Sequence, residues 1–230
     1  MSPSVIAIDG PAAVGKTTVG RRVADRLAWT FLDTGVLYRA LAWLGQQDGI
    51  APDDDARLAA LARDLDAQVT RPSKADGREA DVRVHGVDVT WNIRSQAVDR
   101  VVSIIAALPE VRAALIPAQR RAAQAGPAVV VGRDIGTVIF PDAALKVYLE
   151  ATEDERARRR AAELAERGPA PGRAAVLADL RRRDMLDSGR EHAPLAAAAD
   201  AVRVGTDGRS VDEVVEAILA LWHDRALRLT

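Results

Sequence analysis

The sequence predicts an α/β fold in which a mostly parallel sheet is covered by helices on both faces. Short apolar runs alternate along the chain with longer stretches of helical periodicity, and this alternation is typical of parallel sheets. The chain has 230 residues, of which 48% are hydrophobic. This is enough for one large α/β domain with a small insertion.

The predicted elements follow one another in a regular order. Apolar strands are expected at Val5–Asp9, Thr30–Leu32, Val129–Gly132, Leu145–Leu149 and Ala201–Val204. Helices are expected to begin at Lys16, near Thr34, at Asp54, near Arg94, and at Pro109, Thr152 and Ser210. The last two starts are followed by a glutamate three residues later, which is the spacing of a capping box.

Two stretches interrupt this order. Residues 81–89 alternate apolar and polar side chains around Gly86, as a half-exposed antiparallel hairpin would. We therefore expect a small β insertion, with a polar loop tip at 72–77. Further on, residues 167–172 (Arg-Gly-Pro-Ala-Pro-Gly) separate two arginine-rich helices, and this arrangement favours a mobile flap.

The segment from Gly10 to Thr17 has the spacing of a phosphate-binding loop: glycine, four residues, then Gly-Lys-Thr. A strand would deliver this loop to a helix N-terminus, where backbone N–H groups and the helix dipole attract phosphate. Lys16 would face the β- and γ-phosphates, and the Thr17 hydroxyl would ligate Mg²⁺. The residues expected around the nucleoside triphosphate are Gly10, Pro11, Ala12, Ala13, Val14, Gly15, Lys16, Thr17 and Thr18.

The composition bears on partners and location. The formal net charge is -1, which offers no electrostatic case for binding nucleic acid or a membrane. The chain has no cysteine, so disulfides, thiol nucleophiles and thiolate metal sites are excluded. The first residues lack the basic region of a signal peptide, and no apolar stretch approaches the roughly 20 residues of a membrane span. We expect a cytoplasmic monomer.

Several kinds of nucleotide-binding protein fit this sequence poorly. No Asn-Lys-x-Asp tetrapeptide is present to recognise guanine, and the chain is short for a motor or large ATPase. A small-molecule kinase fits better, and it needs a second anionic pocket. Thr34 and Arg133 with Asp134 follow predicted strands at the carboxyl edge, where ligands gather. Two structural alternatives stay open: a helix N-cap at Asp33 or Thr34, and a buried ion pair of Arg133 with Asp134.

Four segments, in this order, resemble the bacterial cytidylate kinase family, and the resemblance runs from the first strand to the final helix. The segments are Ile8-Asp9-Gly10-Pro11; Asp33-Thr34-Gly35 with Tyr38-Arg39; Gly132-Arg133-Asp134-Ile135-Gly136-Thr137 with Phe140-Pro141-Asp142-Ala143; and residues 183–190 followed by Ala193-Pro194-Leu195. The resemblance implies transfer of the γ-phosphate of ATP to CMP or dCMP with Mg²⁺. It also implies a P-loop kinase core at 1–37 and 104–230, an insertion that binds the nucleoside monophosphate (NMP) at 38–103, and a helical lid at about 152–175.

The same resemblance implies roles for individual residues. The catalytic residues would be Lys16, Arg133, Arg183 and Arg190. The acceptor phosphate would be bound by Arg39 and Arg133, and Thr34 would contact that phosphate or the ribose. The cytosine edge would be held by Ser103, Arg112 and Asp134, with Asp134 on the amino group. Arg183 and Arg190 would also hold phosphate, and Asp187 the sugar hydroxyls.

The predicted lid helix carries Arg156, Arg158, Arg159 and Arg160, and we expect Arg159 to reach the ATP phosphates. Because donor and acceptor phosphates repel each other, their transfer requires dense, fixed positive charge, which arginine forks supply. Two other functions stay open. One is another small P-loop kinase, acting on UMP or shikimate, and the other is a nucleotide-binding regulatory ATPase.

Overall fold

The computed structural model describes residues 4–123, 126–166 and 172–227. The strands in this part of the chain are β1 (Val5–Asp9), β2 (Thr30–Asp33), β3 (Ala67–Thr70), β4 (Asp81–Val84), β5 (Val87–Asp88), β6 (Ala128–Gly132), β7 (Leu145–Glu150) and β8 (Val202–Gly205). The α-helices are α1 (Lys16–Leu27), α2 (Gly35–Gln47), α3 (Asp55–Arg63), α4 (Gln96–Ile105), α5 (Pro109–Ala122), α6 (Glu153–Ala165), α7 (Arg173–Ser188) and α8 (Val211–Leu227). The flap predicted at 167–172 lies, except for Gly172, outside the described residues.

The chain divides into two compact units. The first runs up to Phe31 and resumes at Ala123, and the second is Leu32–Ala122. The predicted NMP-binding insertion, 38–103, lies entirely within the second unit. Its exact bounds stay a prediction, as do those of the lid.

A parallel sheet forms the centre of the first unit. Its strands are ordered β2-β6-β1-β7-β8, and β1 pairs in parallel with both β6 and β7. Every residue of β1 is buried, as expected for a strand with neighbours on both sides and cover on both faces. Ile6 and Ile8 belong to one core cluster with Val19 of α1 and Ile218 of α8. The predicted parallel sheet with flanking helices is confirmed.

The second unit contains a small antiparallel sheet and helices α2 to α5. The predicted hairpin is present as β4 and β5, and β3 adds an unpredicted strand on the other side of β4. The turn at His85 and Gly86 has φ of 47° and 79°, the pair of positive angles that a type I′ hairpin turn requires. Val82 and Val84 are buried whereas Arg83 is exposed, so the sheet is half-exposed as predicted.

Helix starts agree with the capping residues in the sequence. The side chains of Asp54, Ser95 and Thr152 each accept a hydrogen bond from the backbone N–H three residues later, at 3.1, 3.4 and 3.3 Å. Two short elements were not predicted: a 3₁₀ turn at Asn92–Arg94 and a π-helical turn at Ile135–Ile139.

Within the described residues, no single helix has the length and apolar character to cross a membrane. Helices α4 and α5 pass that test only as a pair, and they are bent by 99° at the break between them.

Candidate active site

The loop between β1 and α1 has a backbone that depends on its glycines. Gly10 has φ of 150° and Gly15 has φ of 97°. A Cβ atom at Gly10 would lie 2.5 Å from the carbonyl oxygen of Leu149, so only glycine lets the loop pass this close to the end of β7. Gly15 caps α1 in a left-handed conformation, and α1 then begins at Lys16. The predicted strand, glycine loop and helix therefore follow each other as the motif requires.

Lys16 folds back over this loop. Its Nζ donates hydrogen bonds to the carbonyl oxygens of Gly10 at 2.8 Å and Pro11 at 2.6 Å, and the residue is 8% exposed. The loop thus wraps around an ammonium group at the N-terminus of α1, where the helix dipole adds positive potential. Backbone N–H groups and a cation together make a binding site for phosphate.

Asp9, the last residue of β1, connects this loop to the segment that follows β6. Its carboxylate oxygens accept hydrogen bonds from the backbone N–H groups of Ile135 and Gly136, both at 2.8 Å. Burial raises the pKa of Asp9 to about 6, although these two hydrogen bonds and the charge of Lys16 act to lower it. Asp9, which directly precedes Gly10, therefore connects the glycine loop to the residues that follow Asp134.

Two arginines of α6 donate hydrogen bonds to the glycine loop. Nη1 of Arg156 contacts the Ala12 carbonyl oxygen and Nη1 of Arg159 contacts that of Val14, both at 3.3 Å. Arg156 is 5% exposed and also pairs with Asp184 of α7 at 2.5 Å. The helix predicted as a lid is thus attached to the loop that would hold the donor phosphates.

The arginines of α6 differ in their other contacts and in their exposure. Arg159 also donates to the Thr206 hydroxyl at 2.9 Å and to the Thr206 carbonyl oxygen at 2.7 Å. The side chain of Arg158 is 67% exposed and pairs with Glu155 at 2.7 Å. The predicted choice of Arg159 agrees with these contacts, although whether it reaches ATP stays a prediction.

A cavity of about 470 Å³ opens beside α6. Its lining includes Asp207 and, from the helix and its N-cap, Thr152, Glu155 and Arg158. The carboxylate of Asp207 accepts hydrogen bonds from the Thr152 backbone N–H at 3.0 and 3.1 Å. Because Asp207 follows Thr206 directly, the cavity adjoins the anchor of Arg159.

Arg133, Asp187 and Arg190 form a second cluster in the first unit. Nε of Arg133 pairs with Oδ2 of Asp187 at 2.9 Å, and Nη2 of Arg190 pairs with Oδ1. Burial acts to raise the pKa of Asp187, but Arg133, Arg190 and Arg183 outweigh it and the net pKa is lowered. An ionised, buried carboxylate therefore lies between Arg133 and Arg190 and pairs with both. Arg183 is also buried, with 6% of its surface exposed.

Asp134 is 5% exposed, and its carbonyl oxygen accepts hydrogen bonds from Val138 at 2.9 Å and Ile139 at 3.2 Å. It thus begins the π-helical turn, whose next residues are held by Asp9. Asp134 contributes to raising the pKa of Asp9, so the two carboxyl groups lie close together. One partner of Arg133 is Asp187, which lies 54 residues later in the chain.

In the second unit, Thr34 and Arg39 lie at the start of α2. Thr34 is buried and is the N-cap residue, but its hydroxyl makes no capping hydrogen bond. Asp33 takes that role, since its Oδ1 accepts from the Gly35 N–H at 3.0 Å. Arg39 donates from Nη1 to the Ile93 carbonyl oxygen at 3.0 Å and from Nη2 to Asp99 at 2.7 Å.

Ser103 and Arg112 are both buried, on α4 and α5. Nη1 of Arg112 donates to the Ala106 carbonyl oxygen at 3.2 Å, and its guanidinium carbon lies 5.8 Å from the centre of the Tyr38 ring. A buried hydroxyl and a buried guanidinium on consecutive helices suit a polar, planar ligand edge. Their contact with cytosine stays a prediction.

Two residues with central contacts, Asp9 and Asp99, were given no role from the sequence, and Arg156 was not distinguished from the other lid arginines. Asp9 stands before the glycine loop, and its place at the carboxyl end of a buried strand could have indicated a role. Asp99 interrupts the apolar stripe of α4, which was a weak signal. Arg156 was one of four lid arginines, and nothing in the sequence distinguishes it from Arg158.

The donor set of the first unit fits Mg²⁺ bound mainly through phosphate. Mg²⁺ usually takes one or two protein oxygens and completes its shell with water and phosphate. Thr17 follows Lys16 on the first turn of α1, where a hydroxyl can reach a cation bound to the same phosphates. Within the described residues, no group of three or more His, Cys, Asp or Glu side chains offers a separate protein cage.

Comparison with known proteins shows which family the chain resembles. The chain matches the family model described as Cytidylate kinase over residues 6–224. It is 48% identical over 225 residues to a protein named Cytidylate kinase from Roseiflexus castenholzii, with 97% of this chain and 95% of that protein covered. A protein of the same name from Herpetosiphon aurantiacus is 48% identical over 220 residues, with 96% and 94% covered.

A third relative is longer. A Synechococcus elongatus protein named Bifunctional pantoate ligase/cytidylate kinase is 50% identical over 224 residues, which are 97% of this chain but 42% of that protein. The match over 6–224 includes the glycine loop, the helix α6 and the cluster of Arg133, Asp187 and Arg190. The chain belongs to the cytidylate kinase family.

Proposed function

We propose that this protein transfers the γ-phosphate of ATP to CMP or dCMP, giving CDP or dCDP. The observation that carries this proposal is membership of the cytidylate kinase family over residues 6–224. The glycine loop wrapped around Lys16 supports it, because a kinase must hold the donor phosphates in a fixed, positive environment.

The donor phosphates would bind in the loop of residues 10–18. Lys16 would turn its ammonium from the Gly10 and Pro11 carbonyls to the β- and γ-phosphates, and Thr17 would contribute one oxygen ligand to Mg²⁺. When bound, Mg²⁺ neutralises charge on the phosphates during transfer. Arg159, which contacts the Val14 carbonyl oxygen of the loop, would complete the positive surround from α6.

The acceptor phosphate, or the phosphoryl group in transfer, would be bound by Arg133, Arg183, Arg190, Thr34 and Arg39. The attacking phosphate oxygen is already ionised, so the reaction needs no strong general base. Its demands are positioning and charge stabilisation, which fixed arginine forks provide.

Cytosine would be recognised by Ser103, Arg112 and Asp134, and Asp187 would bind the sugar hydroxyls. The cytosine edge places an amino donor beside acceptors, which a carboxylate with an arginine and a hydroxyl can match. Uracil would present a carbonyl to Asp134 and leave two acceptors facing each other. We infer selectivity for cytosine on this ground.

A coupled assay of ADP formation tests the proposal over CMP, dCMP, UMP, AMP, GMP and shikimate. We expect rapid, acceptor-dependent turnover with CMP and dCMP and little with AMP, GMP or shikimate. Equal rates with all nucleotides would contradict the proposed cytosine site. Rapid ATP hydrolysis that does not depend on an acceptor would instead favour a regulatory ATPase, which family membership does not favour.

We also propose that the protein acts as a monomer in the cytoplasm, where ATP and nucleoside monophosphates are available. Size-exclusion chromatography with light scattering tests the first point. A mass near the 24.6 kDa of one chain is expected, and a stable dimer at micromolar concentration would contradict it.

A further inference from the structure

Asp99 is a buried carboxylate of α4 that lies outside the four family segments. It is 7% exposed, and its Oδ1 accepts a hydrogen bond from Nη2 of Arg39 at 2.7 Å. Nη1 of the same guanidinium donates to the Ile93 carbonyl oxygen at 3.0 Å. Burying a carboxylate is costly unless it is paired, and the ion pair with Arg39 helps to offset that cost for Asp99.

These two contacts hold Arg39 and still leave it able to bind an anion. A guanidinium carries five N–H donors in one plane, and Asp99 and Ile93 use two of them. The side chain of Arg39 is 20% exposed, so part of it remains accessible to a ligand. Arginine binds phosphate in pairs of hydrogen bonds only when an N–H edge of its guanidinium points at the oxygens, and holding that orientation beforehand reduces the entropy lost on binding.

We propose that Asp99 is a positioning residue of the acceptor-phosphate site, which orients the guanidinium of Arg39 toward the phosphate of the nucleoside monophosphate. This inference rests on the proposed function, in which Arg39 binds that phosphate. Asp99 acts through Arg39 and does not itself touch the acceptor, because a carboxylate against a phosphate would be repelled.

The position of Asp99 on α4 also relates it to Ser103, a residue proposed for cytosine binding. Ser103 lies four residues later, so the two side chains share one face of the helix, and both are buried. Ile93 belongs to the 3₁₀ turn just before α4. One short stretch of chain therefore supplies both anchors of Arg39 and a residue proposed at the cytosine edge.

The test measures KM for CMP and for ATP in Asp99→Ala and Asp99→Asn. Loss of the carboxylate in Asp99→Ala should raise KM for CMP about 10-fold, within the range for contacting pairs, and leave KM for ATP within twofold. Asp99→Asn keeps an oxygen that can accept from Nη2, so KM for CMP should stay within about threefold of the wild-type value. Asp64→Ala, which removes an exposed aspartate of the same unit, should change neither constant.

A double-mutant cycle with Arg39→Met separates positioning from a general structural role. If Asp99 acts through Arg39, adding Asp99→Ala to Arg39→Met should raise KM for CMP no further. The same 10-fold increase in both backgrounds would overturn the proposal, as would an unchanged KM in the single variant or an Asn variant as impaired as the Ala variant. If Asp99→Ala does not fold, Asp99→Ser replaces it, since its shorter side chain also cannot reach Nη2.

These outcomes are distinct from failure of the proposed function. A wild-type protein that does not turn over CMP would refute the function before any variant is compared. Normal CMP turnover with an Arg39→Met variant of unchanged KM would refute the role of Arg39 alone. The Asp99 variants are therefore compared once the wild type turns over CMP and Arg39→Met raises KM for CMP.

Discussion

At the scale of single residues, Lys16 places a positive charge against a glycine loop that has no charged side chain of its own. Its ammonium lies on two carbonyl oxygens, and in the proposed reaction it would bind phosphate. Lys16→Met keeps the apolar stem and removes the charge, so we expect kcat/KM to fall by about 10²- to 10³-fold. Steady-state kinetics with ATP and CMP measures this change.

The matched control is Lys74→Met, which removes an exposed lysine of the polar loop after β3. It should leave kcat/KM within twofold of the wild-type value. Thermal unfolding should show the Lys16→Met protein folded. Retained activity in Lys16→Met would contradict the assignment of the glycine loop as the donor site.

Asp9 should make the stability of the fold depend on pH in a particular direction. Its pKa in the folded protein is about 6, above the ordinary 3.8, so the folded state binds this proton more tightly than the unfolded chain does. The contribution is present at low pH and is lost as pH rises through 6. By linkage, Asp9 should add about 1 kcal/mol to the free energy of unfolding when the pH falls from 7 to 5.

Comparison of the wild type with Asp9→Asn isolates this contribution. Carboxylates with lowered pKa values, such as Asp187, act in the opposite direction, but they are present in both proteins and cancel in the difference. Denaturant unfolding at pH 7 and pH 5 should show that the wild type gains about 1 kcal/mol relative to the variant. A difference in unfolding free energy that is the same at both pH values would refute the elevated pKa.

At the scale of elements, the two predicted capping boxes show what local sequence can and cannot predict. At Ser210 the box is complete, because the Glu213 carboxylate accepts from the Ser210 N–H at 2.7 Å and the Ser210 hydroxyl accepts from the Glu213 N–H at 3.3 Å. At Thr152 the glutamate turns instead to Arg158 and Arg159. The helix start was predicted correctly, but the partner was decided by neighbouring charge.

The site residues also divide into those that a local motif predicts and those whose partners lie far away in the sequence. The glycine loop was predictable because its chemistry lies within eight consecutive residues. The π-helical turn at Ile135–Ile139 was not, since Asp9, 126 residues earlier, holds its first N–H groups. The pairing of Arg133 with Asp187 likewise joins distant segments. Contacts between distant segments are set by tertiary packing, which a short motif does not encode.

Helix α6 offers a direct comparison of adjacent arginines. Arg159 contacts the Val14 carbonyl of the glycine loop, whereas Arg158 is largely exposed and pairs with Glu155. We expect Arg159→Ala to lower kcat/KM for ATP on the order of 10-fold or more, because a positive charge near the phosphates is lost. Arg158→Ala should stay within twofold, and equal losses in the two variants would contradict the assignment.

At the scale of the whole molecule, the two proposed ligands differ in the segments of the chain that would bind them. The residues proposed for the ATP phosphates, from Gly10 to Thr18 and at Arg159, all belong to the first unit. Those proposed for CMP include Arg133, Arg39 and Ser103, which lie in other segments of the chain. Because a ligand stabilises the segments that it holds, the two nucleotides should protect different sets of backbone amides from exchange.

Hydrogen–deuterium exchange with each nucleotide alone measures this difference. A non-hydrolysable ATP analogue with Mg²⁺ should slow exchange in the glycine loop and α6 and leave α2 and α4 little changed. CMP at about 100 times its Kd should slow exchange in α2 and α4 and also around residues 133–136, in keeping with a stabilisation of about 2.7 kcal/mol. AMP at the same concentration is the matched control and should protect neither set. Protection by CMP confined to the first unit would remove Arg39, Ser103 and Arg112 from the acceptor site, and would leave the donor site and its Lys16 unaffected.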